Sequence, residues 1–476
     1  MPLVPAPPGA AVAFEDSAPA RFSPPHTSNR FIVGTFDRGD VGQVSDLSAA
    51  RKMFGGHVNY SSAPDAVAVL LALGVRTVSI ARVVGPAATA ATVTLDAKIK
   101  ITAKSAGEWA NGATGGLDAA IVDVAGSRRI VIRENDLPVA TSPASPDQAG
   151  LIAWSDANDV VTVETVAPGL PAVTAAANLA GGTDDRANIG PADYGVALAK
   201  LDRRWGPGHI LAPGVSDPDV HGLLLEHGEI NNRNPHLDLT PTVTEGDALA
   251  HALAVQADHP ATIKRAGLWA SWSYVTPVAG EPERLLPRSA VQSGIASRVE
   301  QVNGIGAAPF GHELGTSAIE SRLFREWSTG YNPPGEAQRL YAGQVNVALD
   351  DGVTIAAEGY RTLDPDPVYE DLHVADTRMR LAWQAETRAR TFIGKPVTRQ
   401  TLGSLHGSLI GLCEEFRAAG AFNDIGDVGY RVIVDELNTT TTMAARELHG
   451  RIRFRPTGST HWIDVLVGSI RPTETV

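Results

Sequence analysis

The feature that most constrains this chain is a change of hydrophobic period that happens twice. Residues 30–85 read as strand, helix, helix, strand. Arg30–Phe36 (RFIVGTF) is a short apolar run, and Ser45–Phe54 and Pro64–Leu73 carry helical spacing. Pro64 suits a first helical turn, Gly74 closes the helix, and Val75–Val84 is a second apolar strand. Two strands joined through helices predict a right-handed crossover and a parallel pair. From 89 to 188 the period becomes two. Thr92–Ala103, Ala119–Val124, Arg129–Arg133 and Asp159–Val166 alternate between the turn-rich stretches Gly107–Gly116, Asn135–Pro138 and Ser142–Asp147. From about 190 the first pattern returns. Tyr194–Trp205, Pro218–Gly228, Asp247–Asp258 and Ala290–Asn303 are helical, and His209–Ala212, Ile263–Ser271 and Gly352–Ala357 are strand-like. One α/β core interrupted by a small all-β insertion accounts for this order.

The two ends differ from this body. Residues 1–29 are rich in proline, and only Val12-Ala13-Phe14-Glu15 alternates. Proline lacks a backbone donor, so such a segment builds no sheet of its own and is expected to be an extended arm. Near the other end come two long helices, Thr377–Phe392 and Thr398–Ala419, then a strand Tyr430–Asp435. His449–Arg455 (HGRIRFR) and Thr460–Ile470 (THWIDVLVGSI) follow, and both alternate strictly. Strands of that kind have one buried face and a backbone edge open to pairing. The expected class is a multi-domain α/β (α+β) chain. Its parts are an arm (1–29), a core in two parts (30–88 and 189–375), an inserted β domain (89–188) and a C-terminal α/β domain (376–476).

Composition narrows the function. Of 476 residues, 40 are basic and 53 acidic, a net charge of −13. An acidic chain gains little from a phosphate backbone, so coating nucleic acid is not expected. No apolar run reaches the length of a membrane span, and Met1–Gly9 lacks the basic and apolar regions of a cleaved signal. The single cysteine, Cys413, falls in a helical stretch and reads as a small core residue.

Motifs for chemistry are incomplete. Gly304-Ile305-Gly306-Ala307-Ala308-Pro309 approaches a dinucleotide-binding loop, but Pro309 stands where the third glycine belongs and no strand precedes it. His312-Glu313 starts a zinc-protease motif whose second histidine would fall at Thr316. His221, His227 and His236 lie near Asp217 and Asp219. A metal-dependent hydrolase built on His221, His227 and Asp217 is therefore one alternative, and a soluble nucleotide-binding protein using residues 304–309 is another. No catalytic residue, cofactor or metal is expected. Arg451, Arg453 and Arg455 alternate with Ile452 and Phe454, and Arg378, Arg380, Arg388 and Arg390 lie on the first long C-terminal helix. Each set is either a solvated face or a basic stripe for an acidic partner.

The order of these pieces resembles the contractile tail sheath proteins of bacteriophages and related injection machines. The resemblance runs from about residue 8 to 470. It rests on Pro8-Gly9 with Val12 and Glu15-Asp16, on Phe31–Gly39 (FIVGTFDRG), and on Leu179–Asp185 (LAGGTDD). It continues through Pro287–Pro309, Phe392-Ile393, Tyr430-Arg431-Val432, Asn438-Thr439 and Gly450–Pro456 (GRIRFRP). The chain departs from the family at Leu340–Leu363, where only Tyr360-Arg361-Thr362 matches. The resemblance implies a structural homo-oligomer of stacked hexameric rings around an inner tail tube, meeting baseplate and tail terminator proteins. It would sit in the virion tail after assembly in the host cytoplasm, without touching nucleic acid or entering a membrane. The inserted domain would face outward. Val12 and Phe14 in the leading arm, and Ile463, Val465 and Val467 in the closing strand, would join sheets of neighbouring subunits. Arg378, Arg388 and Arg453 would face the tube.

Overall fold

The structure is a computed structural model that describes residues 29–310, 319–330, 332–350, 352 and 354–458. At its centre is a seven-stranded sheet. Its order is Val345–Asn346, Gly267–Trp269, Arg233–Asp238, Gly208–Leu211, Asn29–Gly34, Thr77–Arg82 and Val41–Val44. All neighbours are parallel except Val41–Val44, which runs antiparallel to Thr77–Arg82 at the edge. The described chain enters at the interior strand Asn29–Gly34, goes out to the edge strand Val41–Val44, comes back to fill Thr77–Arg82 between them, then crosses to the other side of its first strand and builds outward. That is a doubly wound α/β core.

Helices cover both faces, as a parallel sheet requires. Phe31 and Val33 pack with Leu198, Leu224 and Ala252 on one side, from Pro191–Ala199, Pro218–Asn231 and Glu245–Asp258. Ile32 between them turns to the other side, against Phe54, Ala66, Leu70 and Ala290. The helix starts are written locally. Asp46 and Thr244 cap through their side chains, and Pro64, Pro191 and Pro218 occupy first turns.

Between 92 and 178 the chain forms two antiparallel sheets. One has the order Thr174–Asn178, Leu117–Val124, Ser127–Glu134, Leu137–Thr141, and the other Thr92–Leu95, Ile99–Ala103, Val161–Thr165. They share a core of Leu95, Ile99, Ile101, Leu117, Ile121, Ile130, Ile132 and Val163. The expected single strand Thr92–Ala103 is in fact a hairpin. Asp96 and Ala97 both take positive φ and reverse the chain, so the alternation continues across a tight turn that the pattern does not mark.

The base of this insertion is tied to the core at several places, among them the Arg38–Glu134 pair and the Gly39 N–H that donates to Ser105. Arg82, at the end of its core strand, donates to the carbonyls of Phe36, Asp37, Gly39 and Ala106 and to the Asp184 carboxylate. Its guanidinium thus ties the core, the insertion and the returning chain together. Gly85 donates to the Asp184 carbonyl at 2.9 Å, and a Cβ there would collide with the backbone of Asp185.

The C-terminal part packs Leu372–Arg390 and Arg399–Ala418 together beneath a hairpin of Tyr430–Ile433 and Arg451–Phe454. Thr398 caps the second helix through Thr401 N–H at 3.2 Å. The first helix is also joined to the core by a buried polar seam. His209 lies between Ser293 and Asp376, with its Nδ1 and Nε2 each 2.9 Å from a partner oxygen. Asn234 donates to Asp376 at 2.6 Å, His236 stacks on His209, and Arg380 pairs with Glu300.

Candidate assembly interface

The C-terminal hairpin gives each of its strands one partner among the described residues, so each has a second edge that no described strand occupies. Alternation sorts its side chains. Tyr430, Val432, Ile452 and Phe454 turn inward onto Leu412, Phe416 and Phe422. Phe422 stacks on Phe454 with ring centroids 5.0 Å apart. Arg431, Arg451, Arg453 and Arg455 are exposed. Arg431 stands directly opposite Arg453 across the pair. Like charges at that position disfavour the hairpin in isolation. Arg431 pairs with Glu436 at 2.7 Å and Arg455 with Asp427 at 3.0 Å, while Arg451 and Arg453 make no ion pair among the described residues.

Beside the hairpin lies an apolar groove of about 410 Å³, lined by Leu381, Ala385, Leu405, Leu409, Ile452 and Phe454 among others. An open apolar groove next to strand edges that no described strand occupies is the geometry into which an extended segment can add a strand. The strictly alternating HGRIRFR stretch gave the sign for the strand. The groove had no such sign, because its walls come from two helices and a strand that meet only in three dimensions.

The candidate residues from the sequence separate as follows. Val12, Phe14, Ile463, Val465 and Val467 lie outside the described residues. Arg453 is on the exposed face of the hairpin. Arg388 is engaged by Glu415 and by the Ser408 carbonyl at 3.0 Å. Arg378 stacks over the Tyr369 ring at 4.5 Å. Arg380 does not belong to any surface stripe, because it is buried against Glu300.

The histidines and Asp217 do not converge. His221 bonds to His251 at 3.0 Å and to the Val215 carbonyl at 2.9 Å, while His227 faces Arg233 at 2.7 Å and Asn231. His236 accepts from the Trp269 indole at 3.2 Å in the polar seam. Asp217 caps a helix through Asp219 N–H. Burial pushes His221 down to about 4 and His227 to about 3, so both are neutral. Among the described residues no three His, Cys, Asp or Glu side chains are grouped to hold a metal ion. Residues 304–309 follow the carboxyl end of Arg288–Asn303, with Gly304 as its cap at positive φ. A helix carboxyl end is the wrong pole for a phosphate. Cys413 is buried and its thiol is pushed up to about 12 by burial, which suits a packing role.

One arrangement has the connectivity of a hydrolase relay. The Ser293 hydroxyl donates to His209 Nδ1, and His209 Nε2–H donates to Asp376. All three are buried, and Ser293 lies inside a helix. The adjoining cavity, at about 10 Å³, has room for about one water. These groups orient one lobe on another and offer no path to a substrate. No helix among the described residues is long and apolar enough to cross a membrane.

No family model matches the chain, and no curated protein matches it. Solved structures do. The chain is similar to the sheath tail protein of Listeria innocua, with a TM-score of 0.63 and 12% identity over 90% of this chain and 95% of that one. It is similar to the sheath tail protein of Desulfitobacterium hafniense, with a TM-score of 0.59 and 13% identity over 90% and 94%. The contracted sheath complex of an extracellular contractile injection system matches with a TM-score of 0.57 and 10% identity over 98% of each chain. Across nine-tenths or more of its length, this chain has the fold of the contractile tail sheath proteins.

Proposed function

We propose that the chain is a structural subunit of a contractile tail sheath, without catalytic activity of its own. The observation that carries this is the likeness over 98% of the chain to sheath subunits, one of them from the contracted helical sheath of the anti-feeding prophage. Subunits would stack as hexameric rings around an inner tube, held between a baseplate and a terminator protein, in a virion tail or a related particle. The leading arm, with Val12 and Phe14, and the closing strand, with Ile463, Val465 and Val467, would each add a strand to a neighbouring subunit. The hairpin edges that no described strand occupies, and the apolar groove beside them, support this. A switch between two packings of the lattice would supply the work of contraction, with no nucleotide spent. Arg378 and Arg453 would carry the positive charge toward the tube, and Arg388 less so because Glu415 already holds it.

Electron microscopy of the concentrated full-length protein beside a variant lacking residues 1–28 tests this. Hollow tubes or six-fold rings are expected from the full-length protein alone, with both proteins folded by circular dichroism. Compact monomers or dimers from both would overturn the proposal.

A further inference from the structure

The doubly wound sheet has one place where its construction changes direction. From Asn29–Gly34 the chain builds first toward Thr77–Arg82 on one side, and later from Gly208–Leu211 on the other. The helix Ala63–Ala72 packs on one face of the sheet and Pro218–Asn231 on the other. The connections leaving the carboxyl ends of two neighbouring strands, Asn29–Gly34 and Gly208–Leu211, therefore diverge. Divergence of this kind opens a crevice, and open α/β sheets take their ligands there. Here the crevice measures about 380 Å³. That is within the roughly 300–1,000 Å³ of small-molecule sites. Thr35 follows the first strand into it and Pro213 the second, joined by Ser62, Asp65, Tyr194 and Arg284.

Its polar groups are unspent and within reach. Asp65 is 6% exposed, and its Oδ2 meets His57 Nδ1 at 2.7 Å. Its Oδ1 has only Arg284 Nε at 3.9 Å, which is too long for a hydrogen bond, yet this oxygen is not sealed from solvent. Ser62 is the N-cap of its helix, but its side chain caps nothing. The hydroxyls of Thr35, Ser62 and Tyr194 make no hydrogen bond among the described residues, and none of the three is sealed.

These groups restrict what can fill the crevice. A carboxylate oxygen in so buried a residue needs a donor. The Arg284 guanidinium disfavours a cation beside it, and Asp65 disfavours an anion. A neutral molecule rich in hydroxyls meets both conditions. Each of its hydroxyls both donates and accepts, so it can give a hydrogen bond to Asp65 and exchange others with Thr35, Ser62 and Tyr194. We infer that the crevice between Thr35, Ser62, Asp65 and Tyr194 is a binding site for a neutral polyol of monosaccharide size. The inference does not depend on the sheath proposal.

Saturation-transfer NMR on the full-length protein tests it, since the method reads weak binding to a single chain or to an assembly. The probes are the methyl glycosides of glucose, galactose and mannose, with sorbitol as the open-chain arm. At least one is expected to bind saturably in the millimolar range. Tyr194→Phe and Ser62→Ala each remove a hydroxyl that bonds nothing in the protein. Both should stay folded by circular dichroism and weaken that probe about fivefold, the worth of one hydrogen bond. Tetrahydropyran, the sugar ring without its hydroxyls, should not compete. Tighter binding of a glycoside identifies a cyclic sugar, and tighter binding of sorbitol an open-chain polyol. No saturable binding of any of the four up to about 100 mM, competition by tetrahydropyran, or unchanged affinity in both variants would overturn the inference.

Discussion

Two interiors in this molecule are made of different materials. The inserted β domain is filled by aliphatic side chains, and between residues 92 and 178 the buried polar residues are Ser142 and Ser145. The seam between the core sheet and the helix Leu372–Arg390 is built of Arg30, His209, Asn234, His236, Asp376 and the Arg380–Glu300 pair. Apolar contact stabilises without fixing direction, whereas a buried hydrogen-bonded charge tolerates few geometries. The insertion therefore needs only to stay folded, while the seam fixes how the C-terminal helices sit on the core. The difference can be tested by perturbing each interior on its own terms.

The largest expected effect is at the seam. Arg380→Met removes the guanidinium that Glu300 faces in the buried seam and should cost about 3–5 kcal/mol, measured by urea denaturation. Replacing both, as Glu300→Leu with Arg380→Met, should recover most of that loss. Equal losses in the single and double variants would mean that shape, not charge, holds the seam.

Acid should separate the two interiors next. Burial, and then the charge of Arg30, push His209 down to about 4 from an ordinary 6.5. Above about 6.5 neither folded nor unfolded histidine is charged. As pH falls toward 4 the unfolded chain takes a proton that the folded one refuses, so stability is lost across that window and levels off below it. At about 1.4 kcal/mol per pKa unit, the share of His209 is on the order of 3 kcal/mol. Burial alone would raise Asp376, but the charge and hydrogen bond of His209 and the bond from Asn234 hold it well below the carboxylate range. Its contribution is present above 3.8 and is lost only below that. Hydrogen exchange at pH 4.5, corrected for intrinsic rate, should show lost protection in 208–211 and 372–390 and none in 117–134. Uniform loss would erase the distinction.

The smallest effect is expected inside the insertion. Ile121→Val removes one methylene from a closed aliphatic core and should cost about 0.5–1.5 kcal/mol, with exchange changes confined to 92–178. Changes spreading to the helix Leu372–Arg390 would show that the two interiors are coupled.

The same difference explains what the sequence could reveal. The strands 117–124, 127–134 and 161–165 alternate visibly because one face of each is aliphatic and buried. Arg233–Asp238 (RNPHLD) is an interior strand of the main sheet, yet it gave no sign. It is polar at four of its six positions, Pro235 argues against an interior strand, and every residue in it is buried because the seam and Arg233's bonds to the Leu201, Asp202 and Gly206 carbonyls satisfy it. The strand Thr174–Asn178 was missed for the opposite reason, since its alanines carry no period. Among the assembly features the hairpin strands were legible, but the groove was not, because its walls are gathered from residues between Arg378 and Phe454.

The crowding of arginines on the hairpin also bears on symmetry. With Arg431 set against Arg453, and Arg451 and Arg455 beside them, two copies meeting face to face here would oppose eight guanidiniums, counted as four from each copy. An isologous pair through this surface is thus disfavoured, and such a pair would end growth by satisfying both partners at once. Contacts that join unlike surfaces remain, and only those can continue from one subunit to the next.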